Sequence, residues 1–285
     1  MSFRTYHEVP GADRSMLGDQ VAAQRRRVRE RLRDVRRVAV VMSGKGGVGK
    51  SFLTAMLARG AAAASWRVGV LDADLKSPTI ARMLEATGPL IADAQGVQPA
   101  AGRDGIAVVS TDLLLAEGAP LRWRTANEDR FVARSVLEAG ALRELLSDVA
   151  WGELDLLLID MPPDADGIED VAELVPGLAG AIVVTIPSEE SRRSVERAMR
   201  CAADAGVRLL GVVENMSGYA CDGCAAVRPL FAGDAGERLA ASFRVPLFGK
   251  VPFSSAPHGG PLRGAFPPPV LDAVIAALGP DSSLL

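Results

Sequence analysis

The chain is 285 residues long, 48% hydrophobic and 24% charged, with 32 basic and 35 acidic side chains and a formal net charge of −3. That length suits one large α/β domain or two small ones, and the apolar fraction excludes a disordered chain. Three cysteines are too few for a disulfide framework, the near-even charge argues against a surface given over to nucleic acid, and no run reaches the ~18 apolar residues of a bilayer span. With a polar N-terminus that includes Glu8, the reading is a cytoplasmic protein without stable membrane insertion. The basic residues are biased: only Lys45, Lys50, Lys76 and Lys250 are lysines. In so Arg-rich a chain, the two lysines at 45 and 50 mark positions where an ammonium group itself is required.

In chain order, the first fourteen residues read as an arm. From Ser15 to about Arg36, Val21, Val28, Leu32 and Val35 recur at helical spacing, and eight arginines lie between Arg25 and Arg37. A helix packed on the domain accounts for this better than a nucleic-acid or membrane helix, because Glu30 and Asp34 interrupt the basic run and aromatics are absent. Residues 1–36 are therefore set apart as an arm and Arg-rich helix, and residues 37–285 as one domain. Within it Arg37–Met42, Arg67–Asp72, Ile106–Ser110, Leu154–Asp160, Gly180–Ile186 and Leu209–Asn215 each read as a short buried strand. Helical stretches such as Lys50–Ser65, Ala133–Val149 and Ser191–Ala205 separate them. Strands apolar throughout, alternating with helices, predict a doubly wound α/β fold: a mainly parallel sheet with helices on both faces and its functional groups beyond the carboxyl strand ends.

The first strand runs into Gly44-Lys45-Gly46-Gly47-Val48-Gly49-Lys50-Ser51, which satisfies G-x-x-x-x-G-K-[ST], and a helix follows. In such a phosphate loop the glycines let backbone N–H groups cradle phosphate oxygens of ATP, aided by the helix dipole. Lys50 then neutralises the β- and γ-phosphates and the Ser51 hydroxyl ligates Mg²⁺. Two later strands end in carboxylates, Asp72-Ala73-Asp74 and Asp160. A carboxylate at a strand end beside the loop is where Mg²⁺ is held through water, and Asp160 is assigned that role. Asp72 reads either as support for this site or as a helix cap.

With its second lysine, Lys45-Gly46-Gly47-Val48-Gly49-Lys50-Ser51 resembles the deviant phosphate loop of the ParA, MinD and arsenite-pump ATPases. That resemblance implies a nucleotide-sandwich homodimer in which Lys45 reaches the partner's phosphates, with Asp74 orienting the attacking water or the metal shell. Leu71-Asp72-Ala73-Asp74, Leu121–Arg124, Asp148–Asp155 (DVAWGELD) and Gly211–Ser217 (GVVENMS) resemble the Mrp/ApbC family of iron-sulfur cluster carriers, and the likeness runs from about Arg37 to Pro257. It implies that Asn215 reads the adenine base and that Cys221 and Cys224 are metal ligands. Two thiolates are half of a tetrahedral set, so the resemblance implies a homodimer that bridges one cluster, of the [4Fe–4S] type, for delivery to client apoproteins. Read without the family, Cys221-Asp222-Gly223-Cys224 also fits a redox dithiol, a structural Zn²⁺ site or two ordinary thiols, and Cys201 reads as a small buried hydrophobe.

The chain departs from the family at Asp160–Gly167, where DMPPDADG replaces DxPPGTGD, and at Lys76, near a usual Tyr-Gly. The alternative function is a ParA- or MinD-like positioning switch acting on DNA or membrane. The apolar Val270–Leu278 segment carries no basic face for membrane attachment, which weighs against it. A P-loop metabolic kinase is the third reading, and no second substrate constellation supports it.

Overall fold

The protein is described here by a computed structural model, which covers residues 17–114, 140–163, 167–221, 226–254 and 267–279. The Leu121–Arg124 segment, Asp164–Asp166 and Cys224 lie outside these residues.

Each apolar run forms a strand because its alternate side chains find a hydrophobic layer on both sides. In β1 (Val38–Met42) the side chains of Val38, Val40 and Met42 enter one core, and those of Ala39 and Val41 the other. The same double burial organises β2 (Val68–Asp72), β7 (Leu156–Asp160) and β8 (Gly180–Thr185), all of them buried along their whole length. One core is closed by α1 (Leu17–Leu32), helical residues 140–148 (α4), α5 (Ile168–Leu174), α6 (Glu189–Asp204) and α7 (Ala235–Phe243). The other is closed by α2 (Lys50–Ala63), α3 (Ile80–Met83) and α8 (Pro268–Leu278).

The remaining strands are β3 (Ile91–Asp93), β4 (Gly96–Gln98), β5 (Ala100–Ala101), β6 (Ala107–Val109), β9 (Leu209–Ala220), β10 (Val227–Arg228) and β11 (Leu247–Ser254). The sheet order is β10-β9-β8-β1-β7-β2-β6-β5, with β11 also pairing β9 and a separate β3–β4 hairpin. The pairs β1·β7, β1·β8, β2·β7, β2·β6, β8·β9 and β9·β11 are parallel, and β9·β10 and β5·β6 are antiparallel. The carboxyl ends of β1, β2, β7 and β9 therefore share one end of the sheet.

All six strands expected from the sequence are present, and the differences from expectation are at the polar margins. β9 continues past Asn215 through Met216-Ser217-Gly218-Tyr219-Ala220, because β10 and β11 supply backbone partners there. β11 escapes an apolar-run reading because Gly249, Lys250 and Pro252 interrupt it, and Pro252 lies where the pairing register shifts. The Arg-rich α1 packs into the core: Val28 and Leu32 are fully buried beside Val35. Two of its basic groups are held by this chain itself, with Arg25 paired to Glu173 and Arg31 donating to the Ser147 carbonyl at 3.4 Å, and Arg36 just beyond the helix lies 3.0 Å from Asp155.

Candidate functional site

The loop leaving β1 turns into α2 through Gly49, which has φ +83° at the helix N-cap. A Cβ on Gly49 would fall 2.2 Å from Nδ2 of Asn215, and one on Gly44 would fall 2.2 Å from the Ser194 carbonyl in α6. Glycine is thus required at these two positions by close approach, and at Gly49 by backbone conformation as well. Ser43 Oγ donates to the Lys45 carbonyl at 3.1 Å and tightens the turn. The loop borders a cleft of about 210 Å³ lined by Lys45, Gly46, Gly47, Gly49, Lys50 and Ser51, together with Asp74, Thr79, Met83 and Pro163.

Beside the loop lies Asp160, fully buried at the end of β7. Its Oδ2 is 2.7 Å from Lys50 Nζ and accepts from Ser51 Oγ at 2.6 Å, while its Oδ1 accepts from Thr54 Oγ1 at 2.6 Å. The chain thus brings Lys50, Ser51 and Asp160 together, and adds Thr54, which the sequence reading did not single out. The Ser51 hydroxyl and the Asp160 carboxylate form an all-oxygen donor pair, which suits a hard cation such as Mg²⁺.

Asp72 is the register partner of Asp160 on the adjacent strand. Burial, and secondly the charge of Asp160, push its carboxyl up to about 7. Its Oδ2 accepts from the N–H groups of Thr79 (2.9 Å) and Ile80 (3.1 Å) and from Ser110 Oγ (3.2 Å), and its Oδ1 from Asp74 N (3.2 Å). Asp72 therefore fixes the loop into α3, which is the capping work that was one of its two readings. Asp74 sits half-buried on the cleft and accepts from Ser77 N at 3.2 Å. Lys45 is exposed on the same cleft and makes no ion pair among the described residues, in contrast to the buried Lys50.

The carboxyl half of β9 runs from beside the phosphate loop toward Cys221. Asn215 is 5% exposed and donates through Nδ2 to the Val48 carbonyl at 2.8 Å. Preceding it, Glu214 is 1% exposed; its Oε2 accepts from Gly236 N at 2.8 Å, and its Oε1 lies 3.5 Å from Lys250 Nζ. Lys250 also pairs with Glu237 at 3.0 Å, and these two carboxylates, Glu237 first, hold its ammonium above the usual lysine range. The fourth lysine thus ties β11 and α7 to the strand that carries Asn215.

Beyond Asn215 the ladder is irregular. Val251 pairs with Asn215 but Phe253 with Tyr219, so β9 carries two extra residues, and Met216 there has φ +52°. The strand ends at Ala220, and Cys221 follows it, half-buried and donating its backbone N–H to Ala226 O at 3.0 Å. At ~3.3 Å per residue Cys221 stands no more than about 20 Å beyond Asn215 along the strand. Val227 and Phe253, whose strand partners Ala220 and Tyr219 immediately precede Cys221, are exposed apolar residues. Cys201, expected to be buried, is exposed, because α6 buries Val195, Ala198, Met199 and Ala202 and turns residue 201 away from that face. No helix among the described residues is long and apolar enough to cross a membrane.

Comparison with known proteins gives a consistent picture. The family model for the ParA-type NUBPL iron-transfer P-loop NTPase matches residues 34–259. An iron-sulfur cluster carrier protein of Saccharolobus solfataricus is 39% identical over 243 residues, covering 84% of this chain and 79% of that protein. The human cytosolic Fe-S cluster assembly factor NUBP2 is 36% identical over 233 residues, covering 79% and 82% of the two chains. A nucleotide-binding protein of Archaeoglobus fulgidus, solved with ADP, aligns with a TM-score of 0.67 at 30% identity over 90% of this chain and 94% of its own. The cell division ATPase MinD of Pyrococcus furiosus, at 20% identity and a TM-score of 0.55 over 86% of this chain and 100% of its own, shares the fold.

Proposed function

Since the chain belongs to the NUBPL iron-transfer P-loop NTPase family, we propose that it is an ATP-dependent iron-sulfur cluster carrier or assembly factor, which hydrolyses ATP and holds its cluster between two copies of itself. The observation that carries this reading is the course of β9. One strand seats Asn215 against the phosphate loop and ends at Ala220, next to Cys221, and this supports a reading in which one element serves both nucleotide and cargo.

In this mechanism the backbone N–H groups of Gly46–Ser51 receive the phosphate oxygens of ATP, and Lys50 exchanges Asp160 for the β- and γ-phosphates. Ser51 and Asp160 would hold Mg²⁺, which neutralises phosphate charge when bound. One of the two Nδ2 hydrogens of Asn215 is committed to Val48, so the amide oxygen and the remaining N–H are left to pair with the N6 and N7 edge of adenine, where guanine carries a carbonyl in place of the 6-amino group. Asp74, on the cleft, orients the attacking water. Lys45 serves a second copy's phosphates as a charge supplied in trans, a role that its exposure on the cleft without an ion pair among the described residues supports. Cys221 and Cys224 give two thiolates per chain, and a homodimer gives four, enough for a bridging cluster that is released to a client apoprotein when the interface opens. The relatives named cytosolic support a cytoplasmic site of action.

Cluster transfer tests the reading. Protein loaded anaerobically with iron and sulfide is mixed with a four-cysteine apo-acceptor, and the acceptor's visible spectrum is followed with and without MgATP. A transfer rate that changes with nucleotide supports a carrier. A rate indifferent to nucleotide and equal to that of free iron and sulfide contradicts it.

A further inference from the structure

Asp160 is held by three side chains, and one of those contacts is one that the reading of this site as an ATPase requires to break. Lys50 must leave for phosphate oxygens, while the Ser51 hydroxyl keeps its proton on Oδ2 and has its lone pairs free for Mg²⁺. The third contact, Thr54 Oγ1 to Asp160 Oδ1 at 2.6 Å, lies on the other carboxylate oxygen and is buried. Thr54 Oγ1 also lies 3.0 Å from the Lys50 carbonyl. A hydroxyl has one proton to give, and the shorter contact to a charged acceptor takes it.

We propose that Thr54 is a positioning residue for the metal step: it anchors Oδ1 of Asp160 so that Oδ2 stays turned to the cation site once Lys50 has moved to the nucleotide. The need for an anchor follows from the neighbouring strand. Asp72 sits in register with Asp160 and its carboxylate repels it, so an Asp160 freed of Lys50 and lacking Thr54 would rotate to lessen that repulsion. Thr54 is well placed to resist, because it is on the first turns of α2 and is itself fully buried.

The proposal rests on the ATP-binding reading above and is tested by equilibrium binding of a fluorescent ATP analogue titrated with Mg²⁺, without measuring turnover. In EDTA, wild type, Thr54→Val and Thr54→Ser should bind the analogue within about twofold of one another, since Thr54 touches no nucleotide. The Mg²⁺ midpoint should rise about tenfold in Thr54→Val, the size expected for loss of one charge-assisted hydrogen bond, and return to the wild-type value in Thr54→Ser. Thr54→Ala, which lacks the hydroxyl and the bulk, should show the same rise, so the result does not depend on one variant folding. An unchanged midpoint in Thr54→Val and Thr54→Ala overturns the assignment alone. So does an equal loss of binding in EDTA, which marks a purely structural role. A wild type that binds no analogue with or without Mg²⁺ overturns the ATPase reading together with this assignment.

Discussion

Removing the Lys50 ammonium should damage the protein even before nucleotide is added. Lys50 is 7% exposed and lies 2.7 Å from an Asp160 that is wholly buried, with Asp72 on the adjoining strand. At that distance the pair attracts by about 6 kcal/mol at an effective dielectric of ~20. Truncating one member of a buried pair typically costs about 3–5 kcal/mol, because the other charge stays behind without compensation. Ser51 and Thr54 still donate to Asp160, so the lower end, about 3 kcal/mol at pH 8, is expected for Lys50→Ala. At roughly 2–4 °C per kcal/mol for a chain of this size, the melting temperature of the nucleotide-free protein should fall by about 6–12 °C. The loss should shrink at pH 5, where Asp72, its carboxyl raised to about 7, is protonated and no longer adds a second negative charge beside Asp160. Asp160→Asn in the Lys50→Ala background should restore most of the stability. The assay is urea unfolding of the metal-free protein at both pH values. A Lys50→Ala variant within ~1 kcal/mol of wild type at pH 8, or a loss that does not vary with pH, would refute the reasoning.

Lys45→Ala should leave stability within about 0.5 kcal/mol of wild type, as expected for an exposed side chain, and spare ATP binding while abolishing hydrolysis; an equal loss of ATP affinity in the Lys45 and Lys50 variants would contradict a role in trans. Gly44→Ala forces a Cβ onto the Ser194 backbone and should cost about 1–3 kcal/mol and most of the nucleotide affinity, whereas Gly46→Ala, whose Cβ meets nothing within 4 Å, should be tolerated; equal behaviour in denaturant and in a nucleotide titration would show the close approach to be unimportant. Asp72, raised in the folded state to about 7 from an ordinary value near 3.8, makes the folded chain bind more protons than the unfolded one, so its contribution becomes progressively unfavourable as pH rises from about 4 to about 7 and is constant above. The stability of Asp72→Asn relative to wild type should accordingly improve across that window, and a difference independent of pH by urea unfolding at pH 5 and pH 8 would argue against the shift.

The central strands were legible because each is apolar on both faces and leads into a helix, a pattern that the two cores of the folded chain require. The phosphate loop and Asp160 were legible for a related reason: both lie at strand ends, where chain order alone predicts their neighbours. What escaped depends on partners far apart in the chain. Glu214 and Lys250 meet only because β11 lies parallel to β9, and neither position announces the other. The outer part of β9 is too polar to read as a strand, and its order comes from β10 and β11. Thr54 stands in an apolar helical stretch, and nothing local indicates that a carboxylate from β7 lies over it. The reading of Cys201 failed because a cysteine's burial is set by the helical face it falls on, and α6 points that residue to solvent.

The claim that this P-loop NTPase carries a cluster on Cys221 and Cys224 is tested most directly by anaerobic reconstitution with iron and sulfide, comparing wild type with the Cys221→Ala/Cys224→Ala double variant. Iron and acid-labile sulfide bound per chain are measured after gel filtration. A [4Fe–4S] cluster shared by two chains gives about two irons and two sulfides per chain in wild type, eluting as a dimer, and near zero in the double variant. Equal iron in both proteins, whether negligible or not, would contradict the assignment.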